Sequence, residues 1–302
     1  MSGLPTGVMA ALVTPLDERG NIDRSSLERM LERLLSCSLS GICPVGSTGE
    51  GPLLDRDSRS QMTSIVSSLL PQGVWNIPAV ISNTLGDALA DIETYAGAGA
   101  HAVLVTAPFY YQHSPFAVAK WYETVAERSS LPILVYNIPS FTKISVSPDV
   151  VASLARDSRV IGMKDSSRDL EYFETILDVT RGMPFSLLTG SDTLLLASGI
   201  LGGSGTIAAS VNLVPEIVTA LWNAILAQEW QTARELQTEL MAIVSVCRRA
   251  GFPSGWKAAL YLLGLCSANA VFPNPTLSGA SLESLAMELE SVGVVMKKDV
   301  QW

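Results

Sequence analysis

The sequence predicts a (β/α)8 barrel followed by a C-terminal helical extension. Eight short aliphatic runs recur along the first two-thirds of the chain, with starts 19 to 34 residues apart. Most are uninterrupted apolar runs rather than alternating ones, which is typical of parallel strands buried on both faces. Eight strands joined by helices match the count and length of this barrel, and an open doubly wound sheet is the alternative. The runs cover residues 8–14, 41–46, 75–81, 102–106, 133–137, 160–164, 186–189 and 205–209.

The segments between the runs carry helix-start signals. Asp23 and Ser25 precede a set of leucines that share one helical face. Ser-Pro pairs at 114–115 and 147–148 open two further helical patterns. Proline fits the first helical turn because the amide that it lacks has no partner there. These signals predict a helix after each of the corresponding strands.

The pattern changes near Gln228, beyond which only helices are predicted. Their apolar spacing indicates helices over 230–250, 256–265 and 282–292. We therefore divide the chain into a barrel at 1–227, which carries the site, and a helical extension at 228–302.

Composition excludes several classes of protein. The chain has 20 Lys+Arg and 29 Asp+Glu, a formal charge of 20 − 29 = −9, so an acidic surface argues against nucleic acid binding. Hydrophobic residues at 48% are enough for a packed core and exclude a disordered chain. Charged residues at 16% fall below the roughly 25% of average soluble chains, so part of the surface is expected to pack against further copies.

Neither a membrane span nor a signal peptide is expected. No window reaches about 18 uninterrupted apolar residues. Residues 1–15 have no basic residue before their apolar run and no small-residue cleavage pattern after it. The four cysteines form no CxxC pair, which favours free thiols in a reducing compartment. We therefore expect a soluble, cytoplasmic protein.

In a barrel of this kind, the active site lies at the carboxyl ends of the strands. The predicted strand ends are rich in hydroxyl groups, and none of them carries a histidine. A transition-metal site and a Ser-His-Asp or Cys-His triad are both disfavoured, because their ligands and base are lacking there. We expect no metal and no cofactor.

Lys164 stands out among these residues. Of the six lysines, it alone directly ends a predicted buried strand. Burial disfavours an ammonium ion, and a neutral amine can attack a carbonyl to give a Schiff base. A solvated lysine paired with Asp165 is the alternative interpretation.

Two neighbouring strand ends support the first interpretation. Tyr136 lies near the end of the preceding strand, and its phenol could donate and accept protons there. The turn at 46–50, which begins at Gly46, offers two hydroxyls and exposed amides that could hold a carboxylate.

Taken together, these segments resemble the dihydrodipicolinate synthase/N-acetylneuraminate lyase superfamily. The resemblance rests on GSTGE at 46–50, YNIP at 136–139 and IGMKD at 161–165, supported by ALVTP at 11–15 and PFYY at 108–111. These segments follow the family's order over nearly the whole chain. The resemblance implies a metal-independent class I lyase or aldolase that acts on pyruvate or another 2-oxo acid together with an aldehyde.

The resemblance also implies roles for single residues. Lys164 would form the imine, Tyr136 would be the proton donor and acceptor, and Ser47 would relay protons. Thr48, Gly46 and the backbone at Ile207 would hold the carboxylate of the 2-oxo acid. Tyr110 matches a tyrosine that relatives extend into a neighbouring subunit, which implies a homotetramer built from two dimers.

The substrate is the next question. Lysine-pathway synthases of this family have an arginine two residues after the proline of the YNxP segment, where this chain has Phe141. An aromatic ring cannot make the bidentate contact of arginine with a carboxylate. The segment 206–212 looks more like 2-keto-3-deoxygluconate aldolases, and Ser166 and Asp192 are candidates for binding substrate hydroxyls.

We therefore favour cleavage of a 2-keto-3-deoxy sugar acid, or a related 4-hydroxy-2-oxo acid, to pyruvate and an aldehyde. The alternatives are 4-hydroxy-tetrahydrodipicolinate synthase, which condenses pyruvate with aspartate semialdehyde, and a dehydratase that uses the same imine. The alternative outside the enzymes is a non-catalytic protein that binds 2-oxo acids as a sensor.

Overall fold

The computed structural model describes residues 3–297, and they form a (β/α)8 barrel with C-terminal helices, as predicted. Nine parallel strand segments pair in the order β3-β2-β1-β9-β8-β7-β6-β5-β4. The strands are β1 Gly7–Ala11, β2 Gly41–Cys43, β3 Trp75–Asn76, β4 Ala79–Val80, β5 Val103–Thr106, β6 Ile133–Asn137, β7 Val160–Asp165, β8 Ser186–Thr189 and β9 Gly205–Ala208.

The third predicted strand is interrupted, and this interruption explains why nine segments replace eight. Pro78 lies between β3 and β4 and has no amide hydrogen to donate. The chain keeps pairing on both sides, because Ile77 N donates to Ile42 O at 2.9 Å and Leu104 N donates to Pro78 O at 3.0 Å. The segment from β3 to β4 therefore acts as one barrel strand and closes the sheet.

Helices follow the strands and cover the outside of the barrel. Two of the three predicted helix starts have a side-chain cap: the Asp23 carboxylate accepts from Ser26 N at 3.2 Å, and the Ser114 hydroxyl accepts from Ala117 N at 3.3 Å. Ser147 makes no such bond, although α6 begins at Pro148 as predicted. The barrel helices are α1 Arg24–Ser36, α2 Arg56–Leu69, α3 Leu85–Gly97, α4 Pro115–Arg128, α5 Pro139–Thr142, α6 Pro148–Leu154, α7 Leu170–Val179, α8 Leu195–Ile200 and α9 Pro215–Leu226.

Three more helices follow α9: α10 Trp230–Arg249, α11 Ser254–Leu262 and α12 Gly279–Ser291. They lie close to the three predicted ranges, and α10 packs along α9. The division into a barrel at 1–227 and an extension at 228–302 stays a prediction, and residues 298–302 lie outside the described part. None of the helices in residues 3–297 combines the length and apolar character needed to cross a membrane.

The apolar core has two parts. The larger part fills the space between the sheet and the helices. The smaller part fills the barrel interior, and one strand contributes to both, because Val135 faces the helices while Tyr136 faces inward. The interior part consists of Met9, Ala11, Cys43, Trp75, Ile77, Ala79, Ala102, Leu104, Leu134, Tyr136, Ile138, Leu188 and Ile207.

One buried amide joins the first and last strands above this interior. Asn212 Oδ1 accepts from Val13 N at 3.1 Å, and Asn212 Nδ2 donates to Ala11 O at 2.8 Å and Ala209 O at 2.9 Å. Three of the four hydrogen bonds that this amide can make therefore hold the chain after β9 against the chain after β1.

We predict that Asn212→Ala lowers the free energy of unfolding by about 2 kcal/mol or more, because buried backbone groups lose their partners. The matched control is Asn223→Ala on the exposed side of α9, which should change it by less than about 0.5 kcal/mol. Urea denaturation measures both, and equal losses would contradict the assigned role of Asn212.

Candidate active site

A cavity of about 440 Å³ opens at the carboxyl ends of the strands, and we call it the Lys164 cavity. It is the place that the barrel topology predicts for the site. Its lining residues are Ala11, Ser47, Thr48, Tyr136, Ile138, Ser140, Phe141, Lys164, Ser166, Ser167, Arg168, Gly190, Ser191, Asp192, Ile207, Ala209, Arg248, Phe252 and Trp256.

Lys164 and Tyr136 meet inside this cavity because the register of two strands places them side by side. Tyr136 of β6 pairs with Lys164 of β7, and both side chains are buried. The Lys164 amine donates to the Tyr136 hydroxyl at 3.3 Å and lies 4.4 Å from the centre of its ring. The Ser47 hydroxyl is 3.3 Å from the same phenol oxygen. The three groups therefore form a chain from amine to phenol to hydroxyl.

Apolar walls and a glycine shape the space around the amine. The Cys43 thiol lies in the barrel interior, and burial raises its pKa to about 11, so it stays protonated at neutral pH. A Cβ at Gly190 would come within 2.8 Å of Lys164 Cε and would also meet the Ser166 hydroxyl. Gly190 therefore leaves the room that the lysine side chain occupies.

The turn that carries Ser47 and Thr48 is tightly folded. Glu50 N donates to Ser47 O at 3.3 Å, and Gly51 N donates to Gly46 O at 3.0 Å. A Cβ at Gly49 would lie 2.6 Å from Leu12 O, so this close approach of two backbones requires glycine. The turn therefore presents Ser47 and Thr48 to the Lys164 cavity from a rigid backbone.

Glu50 anchors this turn to the C-terminal helices. Its side chain is buried and in contact with the Lys257 amine of α11, which is also buried. The same carboxylate accepts from Val271 N and from Asn274 Nδ2, both at 2.8 Å. A buried ion pair holds its geometry when the remaining acceptor sites are also satisfied, as they are here. The active-site turn and the extension are thereby joined.

Asp165 does not pair with Lys164, although it follows it directly. The Asp165 carboxylate accepts from Asn137 Nδ2 at 2.7 Å and from the Ser167 hydroxyl at 2.8 Å. Burial raises its pKa, and the hydrogen bonds from Asn137 and Ser167 oppose that rise. This pair ties the ends of β6 and β7 together, so the alternative of a Lys164–Asp165 ion pair is wrong.

The other predicted residues of the site fall into two groups. Thr48, Ser166, Asp192 and Ile207 line the Lys164 cavity. The Asp192 carboxylate is already engaged, because Oδ1 accepts from Ser210 N at 2.9 Å and Oδ2 lies 3.4 Å from Arg248 Nη2. A substrate hydroxyl bound by Asp192, as predicted, would therefore share the carboxylate with Ser210 and Arg248.

Gly46 and Tyr110 do not line the cavity. Gly46 supports the turn through its carbonyl. Tyr110 has a positive φ of 84° and is 85% exposed, and it lines a separate surface hollow with Phe116 and His113. Within one chain, Tyr110 is therefore not part of the Lys164 cavity.

Sequence reasoning missed the residues that the extension and one loop bring to the cavity. Arg168, in the β7–α7 loop, is close to Lys164 in sequence and could have been found there. Arg248, Phe252 and Trp256 come from α10, α11 and their connection, and no local pattern indicates that they reach the barrel mouth. Across residues 3–297, no three histidine, cysteine or carboxylate side chains are grouped so that they could hold a metal ion.

The fold and this cavity define a class: a (β/α)8 barrel protein with a lysine-centred site at its carboxyl-terminal face. Within that class, the chain belongs to the dihydrodipicolinate synthetase family, whose model matches residues 4–291. It is 31% identical over 289 residues to 4-hydroxy-tetrahydrodipicolinate synthase of Methanosarcina barkeri, which covers 96% of this chain and 99% of that one. The corresponding enzyme of Phenylobacterium zucineum is 29% identical over 289 residues, covering 96% and 98%.

Solved structures agree with this assignment. Dihydrodipicolinate synthase from Aquifex aeolicus superposes with a TM-score of 0.91 at 26% identity, covering 97% of this chain and all of that one. The enzyme from Thermotoga maritima gives a TM-score of 0.92, also at 26% identity, with the same coverage. The chain thus shares the fold of these structures along the whole of their matched length.

We predict that Gly190→Ala slows reaction of the Lys164 amine with pyruvate by about 100-fold, because the new methyl group displaces the side chain. The atoms that it meets belong to the side chains of Ser166 and Lys164 and not to the backbone, so the thermal midpoint should change little. The control is Gly86→Ala in α3, where a Cβ meets open space. An unchanged rate in Gly190→Ala would show that the lysine does not need this space.

We predict that Glu50→Gln lowers the free energy of unfolding by about 3–5 kcal/mol, because the Lys257 charge is left buried and unpaired. Adding Lys257→Met should recover part of the loss. The control is Glu123→Gln in the exposed Lys120–Glu123 pair, with an effect below about 1 kcal/mol. Urea denaturation that gives the two single variants equal losses would contradict the anchoring role.

Proposed function

We propose that the protein forms an imine between Lys164 and a 2-oxo acid such as pyruvate, and makes or breaks a carbon–carbon bond to an aldehyde. The observation that supports this most is the chain of contacts from the Lys164 amine through the Tyr136 hydroxyl to the Ser47 hydroxyl. A nucleophilic amine and a proton-transfer group within hydrogen-bond reach are what this chemistry requires.

The proposed sequence begins when the amine attacks the C2 carbonyl. The carbonyl oxygen takes up two protons through Tyr136, one that the attacking nitrogen loses and one from solvent. It then leaves as water, which gives the protonated imine. That imine is an electron sink, so loss of a C3 proton gives an enamine. The enamine carbon attacks the aldehyde carbon, and the new alkoxide takes up a proton. Cleavage follows the same steps in reverse, and hydrolysis of the imine returns the free lysine.

The carboxylate of the 2-oxo acid needs its own partners close to the lysine. We assign this role to the Ser47–Thr48 turn and the backbone at Ile207, which line the same cavity. Hydroxyls and exposed amides in a turn provide donors for a carboxylate. Thr48 is buried and held by its rigid turn, so it offers these donors in a fixed position.

The second substrate separates two candidate functions. The relatives above are named 4-hydroxy-tetrahydrodipicolinate synthase, and their names favour condensation over the sugar-acid cleavage that we preferred from the sequence. Phe141 keeps cleavage of a 4-hydroxy-2-oxo acid as the second candidate. Phe141 lines the cavity, and its ring lies 5.7 Å from that of Phe252. An aromatic ring thus stands where the lysine-pathway synthases have a guanidinium.

We also propose that the exposed aromatic surface around Tyr110 packs against a second copy of the chain, within a dimer or a tetramer. Tyr110 and Tyr111 are 85% and 71% exposed and stack edge to face at 5.0 Å. A cluster of exposed aromatic rings is typical of a protein interface. Assembly varies among similar structures, because one with a TM-score of 0.91 is described as a monomeric dihydrodipicolinate synthase variant.

We predict that the protein exchanges the C3 protons of pyruvate for deuterium in D₂O, since enamine formation removes one of them. Tyr136→Phe should slow this exchange by about 10²- to 10⁴-fold, because the proton-transfer group is lost. Tyr122→Phe is the control, because Tyr122 is also a buried tyrosine but does not line the cavity. Proton NMR follows the methyl signal. A protein that binds pyruvate without exchange would be a sensor of 2-oxo acids rather than an enzyme.

A further inference from the structure

We infer that Arg168 and Arg248 form an anion-binding end of the Lys164 cavity, so that the aldehyde portion of the substrate carries a carboxylate or phosphate. This inference rests on the proposed function and specifies its second substrate. Both arginines line the same cavity as Lys164. The arginine predicted from related synthases would stand at position 141, on another element.

Arg168 is a cation without a partner in the described chain. It follows β7 and has a left-handed backbone conformation, with φ of 64°. The residues on both sides of it make hydrogen bonds that order the loop. Ser167 bonds to Asp165, and Asp169 caps α7 by accepting from Tyr172 N at 3.0 Å. Within residues 3–297, the Arg168 side chain makes no hydrogen bond and no ion pair. The loop is thus ordered around it while its guanidinium stays free.

Arg248 is held in place but is not fully neutralised. It approaches Asp192 Oδ2 at 3.4 Å, a long contact, and its side chain is 28% exposed. Burial lowers the pKa of Arg248; the Asp192 charge opposes this, and the nearby charge of Arg168 adds to it. Two guanidinium groups therefore act on the same region, and an anion between them would relieve their repulsion.

The charges on the cavity wall support the same conclusion. The lining includes three basic side chains, Lys164, Arg168 and Arg248, and one acidic side chain, Asp192. The chain as a whole carries −9, so a cationic cavity is a local departure from the surface. The carboxylate of the 2-oxo acid is assigned to the Ser47–Thr48 turn, which leaves the two arginines for a second anion. Lys143 does not compete, because its amine donates to Ser140 O at 2.7 Å and does not line the cavity.

The test compares aldehydes of similar size with and without charge, each with pyruvate. Succinic semialdehyde is paired with butanal, and glyceraldehyde 3-phosphate with glyceraldehyde. We expect kcat/KM for at least one charged aldehyde to exceed that of its neutral partner by about tenfold or more. The pair with the larger ratio identifies whether a carboxylate or a phosphate is bound.

Arg168→Gln should lower that ratio by about tenfold through a higher KM for the charged aldehyde, and Arg168→Lys should keep part of it. Arg181→Gln, an exposed arginine just beyond the end of α7, is the matched control and should leave every constant unchanged. Thermal unfolding checks that the Arg168 variants fold. Arg168 is exposed, so its replacement removes no buried contact.

Two failures can be told apart in this experiment. If the wild-type protein exchanges the C3 protons of pyruvate but uses charged and neutral aldehydes equally, the anion-binding end is wrong and the imine chemistry stands. The same holds if Arg168→Gln leaves the ratio unchanged. If the wild type neither exchanges these protons nor turns over any aldehyde, the proposed function is wrong and this inference is overturned with it.

Discussion

The placement of one amine in the barrel interior is the constraint on which the site depends. Lys164 is 5% exposed, and no acidic side chain in residues 3–297 pairs with it. Its partners are the ring and hydroxyl of Tyr136, which the β6–β7 register brings alongside. Burying a lysine without an acidic partner lowers the stability of the fold, so its presence here points to a role in function. Gly190 leaves room for the side chain, and the ordered turn at Ser47 completes the set of contacts.

The helices after the barrel take part in the site rather than only following it. Lys257 reaches the Glu50 carboxylate beneath the Ser47–Thr48 turn, and Arg248 and Trp256 line the cavity itself. The barrel supplies the lysine, tyrosine and serine of the candidate site, while the extension supplies anchoring and part of the wall. The extension and the β7–α7 loop therefore shape the cavity without taking part in the contacts among Lys164, Tyr136 and Ser47.

Local sequence patterns were sufficient for most of the fold, and they pointed to the residues that the structure brings into contact at the strand ends. Short aliphatic runs located every strand, and the rule that barrel sites lie at strand ends led directly to Lys164 and Tyr136. The break at Pro78 was not predicted, because the mostly apolar residues on both sides of the proline fit one continuous strand. Long-range pairs could not be found: Lys257 lies 207 residues from Glu50, and Arg248 lies 56 residues from Asp192. The residues next to each member of these pairs do not indicate its partner.

The central claim is that Lys164 forms an imine with a 2-oxo acid. The most direct test mixes the protein with pyruvate and borohydride, followed by intact mass and peptide mapping, with Lys164→Ala as control. The account predicts an added mass of about 72 Da on the peptide containing Lys164, and no addition in the variant. Absence of the adduct, or its location on the peptide containing Lys143, would contradict it.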